Sequence, residues 1–206
     1  MIINIKKALK YLENADPRIT RLRAEFGDPD FKPNKNYFEA LVRAIIFQQL
    51  SGKAANTIYL RFKALFKGEQ FPLPEAILNI PFETLRAVGL SNQKTNYVRD
   101  LSEKIKNGTL KFTEFEGMTD EEVSEALIQV KGIGQWTADM FLMFTLNRPD
   151  VFPLGDLGVQ KGFMHFCKLK EMPNALKMEQ EAEKWRPYRT LVAWYMWKIV
   201  DGPFAW

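Results

Sequence analysis

Apolar positions recur three and four residues apart along nearly the whole chain, the spacing that lines one face of a helix. NYFEALVRAIIFQQL (36–50), AANTIYLRFKALF (54–66), NYVRDLSEKIKNG (96–108) and DEEVSEALIQV (120–130) all carry it. The every-second-residue alternation of a half-buried strand is nearly absent. Short breaks separate the helical stretches, marked by residues such as Asp16-Pro17, Ser51-Gly52, Pro72, Pro81, Gly89, Gly108, Gly117, Pro149, Pro153 and Pro173. The pattern predicts about ten helices joined by short loops, an all-α fold. No low-complexity run or long linker interrupts it, so a second lobe has to be assembled from the two ends of the chain.

Composition narrows the range of functions. With 206 residues, 46% of them hydrophobic, the chain can form one large domain or two small ones sharing a cleft. No apolar run reaches the ~18 residues of a bilayer span. The opening MIINIKKALKYLENADP sets its lysines inside an amphipathic pattern, unlike a signal peptide. One cysteine, Cys167, excludes an internal disulfide and a cysteine metal cluster. One histidine, His165, excludes the usual triads and histidine-rich metal sites, and both residues read as packing or surface positions. A net charge of +4 and a pI near 9.0 favour a polyanionic partner. Trp185, Trp194 and Trp197, close together near the C-terminus, suit either base stacking or an ordinary core.

The stretch TDEEVSEALIQVKGIGQWTADMFLMFTL (119–146) carries the most information. Thr119 with Glu122 forms a capping box, predicting a helix from here to about Val130. Lys131-Gly132-Ile133-Gly134 then makes a tight turn, and a second helix begins at Gly134-Gln135. The N–H groups exposed at such a helix start, together with its dipole, form an anion site that suits phosphate. Val130, Gly132, Ile133, Gly134 and Ala138 fit the V-x-G-I-G-x-x-x-A pattern of a helix-hairpin-helix, with Ile133 plugging the turn into the core. Such a hairpin positions a nucleic-acid backbone without reading sequence. A plain helical corner that uses glycine for its geometry remains the other reading.

Further on, VFPLGDLGVQKG (151–162) sets Asp156 between two glycines. By itself Asp156 reads as a helix N-cap, since aspartate is among the preferred capping residues, or as a catalytic carboxylate.

The run from Val130 to Gly162 resembles the helix-hairpin-helix (HhH-GPD) superfamily of base-excision DNA glycosylases, and most closely the 3-methyladenine DNA glycosylase II family, which removes alkylated bases. LVRAIIFQQLSGKAANTIYLRF (41–62) resembles that family's R-A-I-x-x-Q-Q-x-S-x-K-A-A segment, and WRPYRTLVAWYMW (185–197) its W-R-P-x-R segment. The likeness spans roughly residues 38–202, with three motifs in order. It implies two helical subdomains flanking a base-binding cleft, one of residues 1–37 plus 150–206 and the other of 38–149 with the hairpin at 119–146. The β-rich amino-terminal domain of some bacterial members is not expected, because the chain opens on helical pattern.

The resemblance also implies roles. Asp156 falls where the family's catalytic aspartate lies. Trp136 and Trp197 match pocket tryptophans, and Met140 replaces a further pocket aromatic. A flipped nucleotide needs its gap filled, which the resemblance assigns to Gln48-Gln49-Leu50, with Gln49 and Leu50 both open as the wedge. DNA contact is expected at Lys53, Lys131, Gly132, Ile133, Gly134, Gln135 and Thr137, with Lys161 a further phosphate neighbour. Bifunctional relatives carry a Schiff-base lysine where this chain has Trp136, and cluster-containing relatives need four cysteines. Both absences imply a monofunctional hydrolase without cofactor that leaves an abasic site. Carbonyls of Ile128, Val130 and Ile133 are candidates for holding a monovalent Na+ or K+ at the hairpin.

The expected partner is double-stranded DNA bearing alkylated bases, met by a monomer with no membrane association. The expected compartment holds the chromosome: the nucleoid-bearing cytoplasm of a prokaryote or the nucleus of a eukaryote. A non-catalytic hairpin module that recognises distorted duplex is the alternative of a different class, and an oxidised-base or mismatch glycosylase on the same scaffold is a third.

Overall fold

The computed structural model describes residues 3–32, 34–66, 68 and 70–201. Among these the chain is all helical, with twelve α-helices and no strand. They are α1 (Ile5–Ala15), α2 (Arg18–Phe26), α3 (Tyr37–Phe47), α4 (Gly52–Ala64), α5 (Pro74–Asn79), α6 (Phe82–Ala87), α7 (Asn92–Lys106), α8 (Asp120–Ile128), α9 (Gln135–Phe144), α10 (Leu157–Phe166), α11 (Ala175–Ala182) and α12 (Arg189–Asp201). None of the described helices is long and apolar enough to cross a membrane.

Side-chain caps decide where several helices begin. Ser51, Ser91, Thr119, Asp156 and Asn174 each accept a bond from a backbone N–H three residues on, satisfying a donor the helix itself cannot. The capping box at Thr119 and Glu122 forms as the sequence predicts. The Ser51 and Ser91 caps start α4 and α7 ahead of the stretches 54–66 and 96–108 in which the hydrophobic pattern places them.

The chain divides into two compact units, Met1–Pro33 with Leu142–Trp206, and Asn34–Phe141. The first unit is built around α12, which is buried nearly all round through Leu191, Val192, Ala193, Tyr195, Met196 and Trp197. A Cβ on Gly162 of α10 would lie 2.0 Å from the Met196 carbonyl oxygen, so only glycine lets these two helices pack this closely. Trp185 fills the centre with its indole N–H donating to Asp16 Oδ2 at 3.1 Å. Arg186 and Arg189 clamp the Asp150 carboxylate, with Arg186 Nη1 at 2.6 Å and Arg189 Nε at 2.8 Å. The WRPYR segment therefore ties the start of α12 to the loop ahead of Asp156.

In the second unit Leu41, Val42, Ile45 and Ile46 of α3 are fully buried, along with Phe62 of α4, Val98 and Leu101 of α7, and Val123 and Leu127 of α8. Tyr37, Phe112, Phe115 and Phe141 make a cluster of edge-to-face and stacked rings at one end of this core. The last residues of α9 belong to the first unit. There Phe144 stacks on Phe31 and packs against Trp197 with ring centroids 5.9 Å apart. The sequence-based division at 37/38 and 149/150 does not register those ring contacts.

Candidate active site and hairpin

Asp156 is the N-cap of α10, with extended backbone at φ −80° and ψ 122°. A turn delivers it there, closed by the Asp156 N–H donating to Pro153 O at 3.0 Å. Gln160, one helical turn later, donates from Nε2 to Leu154 O at 2.8 Å and holds the same turn from below. Asp156 Oδ1 accepts two hydrogen bonds of 2.7 Å, from the Val159 N–H and from the indole N–H of Trp197. The carboxylate is thus fixed by its own helix start and by a second helix, on a residue that is half-buried.

The indole reaches Asp156 because residue 158 is glycine. A Cβ there would stand 2.7 Å from Trp197 Cδ1, 3.0 Å from its Nε1 and 3.1 Å from Asp156 Oδ1. Trp197 itself is 2% exposed. Both roles open to Asp156 from the sequence are therefore compatible with one position, and the cap bond is part of what aims the group.

In the other unit, Trp136 stands in the first turn of α9 and is 44% exposed. Met140, one turn further along the same helix, is buried, as is Thr137. The two hairpin glycines turn out to differ. Gly132 has φ +83° and a Cβ there would lie 2.1 Å from Tyr97 Cδ2, so no other residue fits. Gly134 has nothing within 4 Å of where a Cβ would be. Its backbone opens to space at the start of α9, where the first-turn N–H groups have no partner within the helix. Ile133 is buried and plugs the turn, with its N–H on Val130 O at 3.0 Å.

The remaining predicted contacts fall into two groups. Gln49 and Leu50 are exposed on the loop between α3 and α4, with Leu50 at 41%, and Lys53 is exposed in the first turn of α4. Gln49 has a left-handed backbone, φ 55°. Gln48, in contrast, turns inward and donates from Nε2 to Gly132 O at 2.8 Å, bracing the hairpin. Gln135 is spent on Ser124 Oγ and Asp139 Oδ1, at 3.1 and 2.8 Å. Lys131 is exposed, with its ammonium 3.8 Å from Asp100 and its backbone N–H on that same carboxylate at 2.9 Å. Burial works against the charge of Asp100, but the Lys131 N–H and the Lys104 ammonium outweigh it and hold its pKa below the usual range. Lys161 and His165 are exposed on α10, and Cys167 is half-buried.

Sequence reasoning did not single out Lys94, Asp100, Gly158 or Gln160. Each acts through a bond or close approach to something chosen by the fold, so nothing in its neighbouring residues marks it.

Comparison with known proteins places these features in a family. The HhH-GPD superfamily of base excision DNA repair proteins matches residues 42–187. A DNA-3-methyladenine glycosylase 1 of Schizosaccharomyces pombe is 37% identical over 204 residues, covering 96% of this chain and 89% of the relative. The structure of a 3-methyladenine DNA glycosylase from the same yeast, in complex with abasic DNA, superposes with a TM-score of 0.81 at 38% identity, covering 93% of this chain and 95% of that one. A DNA-3-methyladenine glycosidase from Bacillus halodurans superposes with a TM-score of 0.86 at 36% identity, over 94% of this chain and 89% of that one. With its hairpin, the capping aspartate after it and the WRPYR clamp in one chain, the protein belongs to the HhH-GPD superfamily of base excision DNA repair proteins.

Proposed function

We propose that this DNA glycosylase hydrolyses the N-glycosidic bond of alkylated purines of the 3-methyladenine and 7-methylguanine type, by a monofunctional mechanism that relies on Asp156. The observation that carries the reading is the fixed carboxylate of a half-buried residue, held on Oδ1 by two donors. Glycosidic cleavage passes through an oxocarbenium-like sugar, and a positioned carboxylate stabilises that charge or orients the attacking water. Alkylation at a ring nitrogen makes the leaving base cationic, so no second carboxylate is needed as acid. The same charge is attracted to an indole face by ~0.5–2 kcal/mol, a role for the accessible ring of Trp136.

Double-stranded DNA is the partner, bound by a monomer. The target nucleotide is rotated out of the stack for the bond to be reached, and Gln49 or Leu50 fills the space it leaves. The open backbone at Gly134 supports a phosphate on the first turn of α9. A monovalent cation beside that phosphate would be held by the carbonyls of Ile128, Val130 and Ile133, a neutral oxygen set suited to Na+ or K+. Val130 O already accepts one N–H and keeps a second lone pair for it. The site of action is the compartment that holds the chromosome.

The test is release of free base from duplexes carrying 3-methyladenine, 7-methylguanine, 1-methyladenine, hypoxanthine or ethenoadenine. Methylated purines should be released while the strand stays intact until alkali cuts the abasic site. No release from any duplex that the protein binds would leave a non-catalytic DNA-binding module.

A further inference from the structure

The end of α3 is tied to the hairpin turn by Gln48 and held from α7 by a lysine to which nothing in the proposed chemistry assigns a role. Lys94, in the first turn of α7, points its side chain away from solvent and donates from Nζ to Ile46 O at 2.7 Å and to Gln48 O at 2.6 Å. These carbonyls close α3, where a helix leaves acceptors without partners and where a cation is favoured. From the same Gln48, the side chain continues to Gly132 O at 2.8 Å. One residue later the chain enters the left-handed region at Gln49, a conformation that is strained for a non-glycine residue and needs support from its surroundings. Gln49 and Leu50 then stand exposed.

From this geometry we infer that Lys94 is a positioning residue for nucleotide flipping: by gripping the Ile46 and Gln48 carbonyls it sets the height and direction of the Gln49-Leu50 wedge against the DNA-gripping hairpin. The inference rests on the proposed function and adds a residue to it. Lys94 touches neither base nor sugar in this account. Its ammonium holds the backbone of the wedge loop, and Gln48 ties that backbone to the turn that holds phosphate. The wedge and the grip then act as one rigid piece, so force applied against the DNA is not lost in the loop. Burial lowers the pKa of Lys94, in keeping with an ammonium withdrawn from water to serve two carbonyls.

A wedge matters only when a paired, stacked base has to be expelled, and the expulsion cost is least for an unpaired base. The experiment therefore compares single-turnover excision of 7-methylguanine opposite cytosine with excision of the same lesion opposite an abasic site, for wild type, Lys94→Met and Lys94→Arg. The ratio of the two rates within one preparation cancels any loss of folded protein. Lys94→Met should slow excision from the paired duplex by about 10- to 100-fold, and from the unpaired one by less than about 3-fold. Lys94→Arg, which keeps a cationic donor, should recover part of the difference. Equal losses on both duplexes, or no loss on either, would overturn the inference. Wild type inactive on both would instead contradict the proposed function, a distinguishable result.

Discussion

Replacing Gly158 with alanine tests how the candidate catalytic carboxylate is aimed. The added Cβ would stand 2.7 Å from Trp197 Cδ1 and 3.0 Å from Nε1. Ordinary carbon contacts lie at about 3.5–4.0 Å, so the indole has to retreat by ~1 Å. Trp197 is packed against Phe144 and almost fully buried, which leaves it little room to do so while keeping its 2.7 Å bond to Asp156 Oδ1. Loss of a hydrogen bond to a charged group costs about 1.5–3 kcal/mol. The glycine-to-alanine change returns roughly 0.5–1 kcal/mol of helix propensity. The net is a destabilisation of about 1–2 kcal/mol, a fall in melting temperature of roughly 2–8 °C for a chain of this size. The larger effect is on rate, because misplacing a catalytic group by an ångström costs up to ~100-fold. Single-turnover excision of 7-methylguanine should fall about 10- to 100-fold. Gly117→Ala, whose Cβ meets only Glu114 O at 3.7 Å, is the matched control and should leave the rate as it is. A Gly158→Ala protein with wild-type rate and wild-type melting temperature would refute the claim that the close approach of the indole aims Asp156.

Other predictions follow from the two hairpin glycines and from the buried aspartate of the terminal unit. Gly132→Ala combines a left-handed backbone with a clash on Tyr97, and should destabilise the fold by about 2–5 kcal/mol in urea unfolding. Gly134→Ala meets nothing, so its unfolding curve should overlay wild type while its affinity for duplex DNA drops about tenfold by fluorescence anisotropy; unchanged affinity would argue against phosphate there. Burial works against the charge of Asp16, but its bonds from Arg18 and Trp185 prevail and lower its pKa from 3.8 to about 2. A lowered carboxylate pKa stabilises the fold above pH 3.8 and loses that stabilisation as pH falls toward 2, an amount of about 2 kcal/mol. Asp16→Asn should therefore flatten the acid limb of the stability curve, and parallel curves for the two proteins would contradict the assignment.

Much of this was legible in the sequence where the signal is local. The period of apolar residues gives the helices, Thr119 with Glu122 marks the start of α8, and Asp156 reads as a cap because capping joins residues only three apart in the chain. What could not be read is set by partners distant in the chain. Trp197 gives its N–H to a carboxylate 41 residues away, and Lys94 serves carbonyls 46 and 48 residues away. A lysine in the polar opening of α7 has no local feature to distinguish it from a solvated one. Gly132 and Gly134 look equivalent in the sequence, yet Tyr97 requires the first and nothing in the protein requires the second. Gln48 and Gln49 cannot be told apart in sequence, yet the side chain of Gln48 braces the hairpin while Gln49 is exposed.

Asp156→Asn separates an action of Asp156 on the sugar from its capping of α10. Asparagine caps a helix about as well as aspartate, and its Oδ1 can accept the same bonds from Val159 N–H and the Trp197 indole. The folded protein and its affinity for DNA containing an abasic-site analogue should therefore persist, while the charge is gone. Single-turnover release of 7-methylguanine from duplex DNA by this variant should fall by about 100-fold or more. Release at the wild-type rate would rule out a part for the Asp156 carboxylate in cleaving the glycosidic bond.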